Sequence, residues 1–418
     1  MTAAFFLVDG NSFYCSCERA FDPKLRGKPV VVLSNNDGCV ISRTAEAKAL
    51  GVAMGEPWHL ARRRPELAAV RWFSSNYPLY ADMSRRMFEV MASFSPDIEP
   101  YSIDEMFLSM EGEAGELLET AKSVHEEVLR VAKIPTCVGI GPTKTIAKLA
   151  NKHAKNSPDL RGVCDLGSPE ARTELFRTWP VSEVWGIGPR SSAKLAAHGV
   201  RTVAEFLDMP SALVRREMSV VGARTQDELR GVPCLPLSLS PPTRKNVAAT
   251  RTFGTPIEGR ATEEAVAAFA CRAAERLRKL GLAARHISVF LRTGEFREGP
   301  RHSCLASAAI EPTADSLFLS AVAARLAREN LREGIAYAKG GVMLGDLSPA
   351  GETADLLPSR DPVRSSRLMQ AIDAVSARHG RNALRPAACG TTDRWAPRQG
   401  NLGNRFTTDI RELLKAKA

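Results

Sequence analysis

No run of about 18 apolar residues occurs in the chain, so nothing in it reads as a membrane-spanning helix. The apolar opening, residues 1–8, lacks a basic flank and is interrupted by Asp9, so a buried first strand fits it better than a signal peptide. None of the nine cysteines belongs to a C-x-x-C pair, their number is odd, and they are scattered from Cys15 to Cys389. That pattern argues against a zinc or disulfide framework and reads as reduced, mostly buried thiols of a cytosolic protein. A phosphate-binding P-loop needs a glycine before its lysine, but Gly139-Ile140-Gly141-Pro142-Thr143-Lys144-Thr145 has Thr143 there, which excludes ATP hydrolysis by that motif. No internal repeat is visible.

What remains is an ordinary globular composition, 44% hydrophobic and 25% charged, over 418 residues. That length exceeds one compact core and points to about three domains. The net charge of +10 is uneven: residues 1–230 carry 29 Lys+Arg against 29 Asp+Glu, and residues 231–418 carry 28 against 18. A neutral half joined to a basic half suits a polyanionic partner.

Hydrophobic periodicity predicts strands over 3–8 and 29–33, helices over 12–20 and 77–94, and a hairpin of 97–103 with 106–110. A helix over 115–131, a strand over 136–140 and a helix over 142–154 follow, giving helices packed on a mixed sheet. Residues 166–230 read as short helices punctuated by Gly and Pro, and 231–245, with four prolines, as an extended linker. Strands over 247–253, 286–292, 303–310 and 338–344, with helices over 262–280 and 315–333, give a β-α-β-β-α-β order. Beyond 351 the chain is rich in Gly, Pro and Arg, with one helix over 364–378. The fold class is α+β and multidomain.

Three acids carry the main chemical signal: Asp9 at the end of the first strand, and Asp104-Glu105 at the hairpin. If those strands are neighbours, the carboxylates meet at one sheet edge, as two-metal phosphoryl transfer requires. Mg²⁺ needs only two or three such hard ligands, the rest coming from substrate phosphates and water. Lys144, Lys148 and Lys152 recur at helical spacing with Lys155 close by, a basic stripe able to face a triphosphate or a primer backbone. Gly186-Ile187-Gly188-Pro189-Arg190 precedes a helix ending at Gly199, so free backbone N–H groups at a helix N-terminus, with Arg190 and Lys194, would form a sequence-independent phosphate seat.

Val8-Asp9-Gly10-Asn11-Ser12-Phe13-Tyr14 and Tyr101-Ser102-Ile103-Asp104-Glu105 resemble the two active-site motifs of the Y-family DNA polymerases, the lesion-bypass polymerases. Within that family, 34–40, 45–52, 73–77 and 341–346 resemble the UmuC branch, and the likeness runs over essentially the whole chain. It implies a right-hand polymerase with a palm (1–33 and 73–165), small fingers (34–72), a helix-hairpin-helix thumb (166–232), a linker (233–245), a little finger (246–348) and a C-terminal extension (349–418). By the same resemblance, Asp9, Asp104 and Glu105 would hold two Mg²⁺ ions, with Mn²⁺ able to substitute, and the Gly10 carbonyl would be a further ligand. Tyr14 matches the steric gate against a ribose 2′-hydroxyl, Cys39 and Ile41 match positions over the nascent base pair, and Lys48 and Lys155 match triphosphate contacts. Gly186, Gly188, Arg190 and Lys194 would hold DNA backbone.

Two departures stand out: Lys48 occupies a position commonly arginine, losing a bidentate fork, and Ala45 one commonly tyrosine. The implied activity is error-prone synthesis across damaged template in the SOS response, favoured by short fingers that police the base pair little. No second carboxylate cluster suggests a proofreading exonuclease. Implied partners are primer-template DNA and dNTPs, a dimer of cleaved UmuD, RecA, and a sliding clamp, although 353–357 lacks the glutamine and aromatic of a clamp peptide. The implied location is cytoplasmic, at the nucleoid. The rival readings are a catalytically inactive DNA-binding scaffold and a two-metal nuclease.

Overall fold

The computed structural model describes residues 2–240, 243–294, 299–351, 361–380 and 383–413. The chain divides into two compact units, one of Met1–Ser34, Gly38–Pro241 and Asn401–Ala418, the other of Asn35–Asp37 and Pro242–Gly400. The degenerate clamp-peptide stretch at 353–357 lies outside the described residues.

Strands β1 (Thr2–Gly10), β2 (Val30–Leu33), β3 (Val40–Arg43), β4 (Arg71–Ser74), β5 (Ile98–Pro100), β6 (Glu105–Gly112), β7 (Thr136–Gly141) and β8 (Val163–Asp165) belong to the first unit. They form two sheets, β5-β6-β1-β7-β8 and β3-β2-β4. The expected single mixed sheet is therefore split. β2 leaves the strands it was grouped with and pairs antiparallel with β3 and parallel with β4. The four-residue strands β3 and β4 are too short to show a period of two, so the second sheet has no clear sequence signature.

Helices of this unit are α1 (Phe13–Phe21), α2 (Ala45–Ala49), α3 (Trp58–Ala61), α4 (Tyr77–Met91), α5 (Ala114–Ala132), α6 (Lys144–Asn156), α7 (Pro169–Thr178), α8 (Pro189–Ala197), α9 (Val203–Asp208) and α10 (Ser211–Leu229). β1 is central and β7 is buried along its whole length, so the sheet is covered on both faces. Close packing of α6 depends on Gly139, where a Cβ would come within 2.8 Å of the Asn151 Cα. The Asn151 side-chain amide donates to the carbonyls of Cys137 (2.7 Å) and Leu7 (3.2 Å), pinning α6 across β7 and β1. Thr143 caps α6 by accepting from the Ile146 N–H, and its hydroxyl donates to the Glu228 carbonyl of α10.

The second unit contains β9 (Asn246–Ile257), α11 (Gly259–Lys279), β10 (Leu282–Arg292), β11 (Ser303–Thr313), α12 (Ser316–Asn330), β12 (Tyr337–Pro349) and α13 (Pro362–His379). Its antiparallel sheet has the order β11-β10-β12-β9, and the first six elements give the expected β-α-β-β-α-β series. Alanines and large apolar side chains of α11 and α12 fill its core, which Trp395 completes against Phe269 at a ring distance of 4.9 Å.

Candidate active site

The antiparallel register of β1 on β6 sets Asp9 directly opposite Glu105. The Gly10 N–H donates to the Asp104 carbonyl (2.8 Å), so the strand end and the turn are stitched together. Ser102 makes that turn: its hydroxyl donates to Asp104 Oδ1 (2.6 Å) and accepts from the Glu105 N–H (3.0 Å). The carboxylates of Asp104 and Glu105 are close enough for their charges to act on Asp9. Burial raises Asp9 from 3.8 to about 6 against the opposing Lys155 ammonium, and the charges of Glu105 and Asp104 push it further up.

Each of the four lysines of α6 has an acidic partner. Lys144 pairs with Glu99, Lys148 with Glu105 (2.8 Å), Lys152 with Glu183, and Lys155 with Asp9 (2.6 Å). The open basic stripe expected from the spacing is thus a row of ion pairs, and Lys144 is itself buried. The first turn of α6 is equally engaged, because the Glu228 carboxylate accepts from the Thr145 N–H (3.1 Å). Lys148 also sits in an aromatic cage, 4.5 Å from the Tyr101 ring and 5.3 Å from the Trp185 ring. Nothing in the sequence pattern pointed to Trp185 as a neighbour of this lysine.

Among the described residues, no three His, Cys, Asp or Glu side chains are gathered as a ready metal cluster. The donor set nevertheless suits hard divalent cations: three carboxylates on paired strand ends, two of them holding lysine ammonium groups where a metal charge would act.

Tyr14, in the first turn of α1, stacks on Tyr80 (centroids 4.6 Å apart, planes 24° apart) and meets Tyr77 edge-on at 6.0 Å. Burial pushes its phenol up to about 12, with Tyr77 and the Asp104 charge adding to the rise, so the ring stays neutral and lies within reach of the acids' field. Ile41 is half-buried on β3, and Cys39 accepts from Ser34 across a turn while its own N–H donates to the Ser34 hydroxyl (3.0 Å). Lys48 is exposed on α2.

At the hairpin, Gly186 has φ +89° and Gly199 φ +78°, a left-handed geometry that glycine tolerates best. Gly188 is the N-cap of α8 without a side-chain cap, and Pro189 occupies its first turn. Arg190 is exposed, whereas the Lys194 ammonium donates to the Glu217 carbonyl (3.0 Å). The following helix α9 starts at a capping box of Thr202 and Glu205.

The fold is that of the Y-family polymerases. A solved Y-family DNA polymerase chimera, Dbh-Dpo4(243-245)-Dbh, superposes with a TM-score of 0.66 at 21% identity, covering 82% of this chain and 98% of that one. The impB/mucB/samB family model matches residues 8–152, its C-terminal domain model matches 244–356, and a domain of unknown function, DUF4113, matches 366–416. Protein UmuC of Salmonella typhimurium is 39% identical over 99% of this chain and 100% of its own length. Protein MucB of Escherichia coli is 40% identical over 98% of each chain. The DNA polymerase IV of Moorella thermoacetica is 31% identical over 91% of this chain and 94% of its own. The chain therefore belongs to the impB/mucB/samB family, the UmuC-like branch of the Y-family.

Proposed function

We propose that this protein extends a DNA primer across damaged template, as a translesion polymerase, with Asp9, Asp104 and Glu105 as the catalytic acids. The observation that carries the reading is the register of Asp9 opposite Glu105, with Asp104 tied to Gly10 in the connecting turn. Relatives named DNA polymerase IV support the activity, and the UmuC, ImpB, MucB and SamB relatives support the lesion-bypass branch.

Asp9, Asp104, Glu105 and the Gly10 carbonyl would hold two Mg²⁺ ions (or Mn²⁺), which would supply Lewis-acid stabilisation of the charge that develops during phosphoryl transfer. The chain does the rest. Lys155 leaves Asp9 and turns its ammonium to the triphosphate, so charge neutralisation passes from an internal pair to the substrate. Lys48 adds a point charge to that grip. Tyr14 stands where a ribose 2′-hydroxyl would project, a clash that rejects the wrong sugar. Cys39 and Ile41 cover the nascent base pair, and the short fingers segment restrains its shape weakly, which lowers fidelity.

Residues 1–33 and 73–165 serve as palm, 34–72 as fingers, 166–232 as thumb, 233–245 as linker, 246–348 as little finger and 349–418 as extension. The Gly186–Gly188 turn, Arg190 and Lys194 hold primer-template backbone without reading sequence. A dimer of cleaved UmuD, RecA and a sliding clamp are the proposed partners, in the SOS response and at the nucleoid of the cytoplasm. Among the described residues no helix is long and apolar enough to cross a membrane. Against an inactive scaffold stands the presence of all three acids together with Tyr14.

The test is primer extension on undamaged and abasic templates by the protein and its Asp104→Ala variant, with and without the partners. Losing a metal ligand should cost more than about 100-fold in rate while leaving DNA binding intact. Retained extension by Asp104→Ala would refute the assignment.

A further inference from the structure

The C-terminal segment, which the sequence left without a role, is built into the first unit beside Tyr14. The Ser74 N–H donates to the Asn401 carbonyl (2.9 Å), and the Asn401 N–H donates to the Ser74 hydroxyl (3.1 Å). Leu402 then forms a parallel bridge with Ser74, extending the open edge of β4. Two residues further along the chain, the side-chain amide of Asn76, the N-cap of α4, donates to the carbonyls of Gly403 (3.3 Å) and Asn404 (3.0 Å). Phe406 closes the contact by stacking on Phe21, the last residue of α1, at 4.6 Å and 10°. The segment thus grips the start of one helix and the end of the other.

Those are the two helices that shape Tyr14. It sits on α1, and its ring lies on Tyr80 and against Tyr77, both in the first turn of α4. Tyr80 is fully buried, and its hydroxyl donates to Glu18 Oε1 (2.9 Å), one turn beyond Tyr14 on α1. Glu18 is 2% exposed. Its other oxygen faces Gly403, where an added Cβ would lie 3.1 Å from the carboxyl carbon and nearer still to Oε2. The contacts run without a gap from Gly403 through Glu18 and Tyr80 to the face of Tyr14. Burial raises Glu18 to about 7, opposed by the Tyr80 hydrogen bond, so the charged carboxylate at this junction carries a desolvation cost.

We propose that residues 401–406 are a positioning element for sugar selection, holding α1 and α4 so that the Tyr14 ring, backed by Tyr80, cannot yield to a ribose 2′-hydroxyl. The proposal rests on the assignment of Tyr14 as the steric gate. A gate works only if it is stiff, because a ring free to move by a fraction of an ångström absorbs the clash that rejects the wrong sugar. The segment supplies that stiffness from behind the ring without touching the substrate.

The test uses the full chain with its activating partners and single-nucleotide primer extension, measuring kcat/KM separately for a deoxynucleotide and the matching ribonucleotide. Tyr14→Ala sets the reference by collapsing the ratio. Tyr80→Phe removes only the hydroxyl that ties the platform to Glu18, and should lower the deoxy-to-ribo ratio by about fivefold, the worth of one hydrogen bond. Gly403→Ala should lower it at least as far. If both variants change the two substrates equally while Tyr14→Ala still collapses the ratio, the positioning role is refuted and the gate stands. If Tyr14→Ala leaves the ratio unaltered, the gate assignment falls and the proposal falls with it. If Gly403→Ala fails to fold, Asn76→Ala, which removes the amide that holds the Gly403 and Asn404 carbonyls, takes its place under the same criterion.

Discussion

Replacing Asp9 by Asn should make the metal-free protein more stable, although it removes one of the acids proposed as catalytic. Asp9 lies buried in the sheet with Lys155 as its counter-ion, yet burial outweighs that pair and lifts its pKa from 3.8 to about 6. A carboxyl whose folded value lies above its unfolded value binds its proton more tightly in the folded state. Folding is therefore favoured by this group at acid pH, and the contribution is lost as pH climbs from 3.8 through about 6. The difference of roughly 2 units corresponds to about 3 kcal/mol of destabilisation at pH 8, and to roughly half of that at pH 5. Asn keeps the shape and does not titrate. Lys155, whose side chain is 33% exposed, can turn to water once its partner is gone.

The assay is urea denaturation in EDTA at pH 5 and pH 8, for the wild type and for Asp9→Asn. The variant should be the more stable by up to about 3 kcal/mol at pH 8, with the gap narrowing as pH falls. Added Mg²⁺ should reverse the ranking, since a ligand at 100 times its dissociation constant stabilises the wild type by about 2.7 kcal/mol and has lost a ligand in the variant. A variant less stable than the wild type at pH 8 in EDTA, or a gap that ignores pH, would refute the claim that Asp9 is held at a cost.

Lys155→Ala removes the ammonium that lowers the Asp9 pKa, so the acid limb of kcat/KM should move to higher pH while KM for the triphosphate rises; an unmoved limb would separate Lys155 from Asp9. Gly139→Ala forces a Cβ against the backbone of α6 and should cost about 3 kcal/mol, read as a lower urea midpoint. Arg190→Ala should weaken DNA binding evenly across sequences and reduce the salt slope by about one, measured by anisotropy at several salt concentrations.

The acids were legible because each lies in a short motif that resembles the Y-family active site; their meeting was conditional on two strands distant in sequence being neighbours, and the register of β1 on β6 makes them so. The β-α-β-β-α-β unit was legible because each of its elements is long enough to show its period. Three features escaped. The lysines of α6 were read as an open face because spacing shows which residues share a side but not what lies opposite; Glu99, Glu105, Glu183 and Asp9 are brought there by other elements. The β3-β2-β4 sheet escaped because all three of its strands are only four residues long, and of these only the continuous apolar run of β2 stands out in the sequence. The docking of residues 401–406 escaped because its bonds are mostly to backbone and carry no side-chain pattern; Trp395 and Phe406, large aromatics in a Gly- and Arg-rich stretch, were the available signal that the tail packs.

The lysine row and the raised acid share one cause. Gly139 and Gly141 let α6 lie so close on β7 and β1 that Lys148 and Lys155 reach the strand ends bearing Glu105 and Asp9. The same proximity removes water from Asp9 and raises its pKa. Among the described residues, the Lys148 and Lys155 ammonium groups are the cations paired with Glu105 and Asp9, and two acids this near each other are eased by such charges. One packing decision thus sets both the ion pairs and the burial of the acid. Substituting either glycine by a larger residue should therefore damage activity by more than stability alone predicts, because lifting α6 off the sheet separates the lysines from the acids before it unfolds the protein.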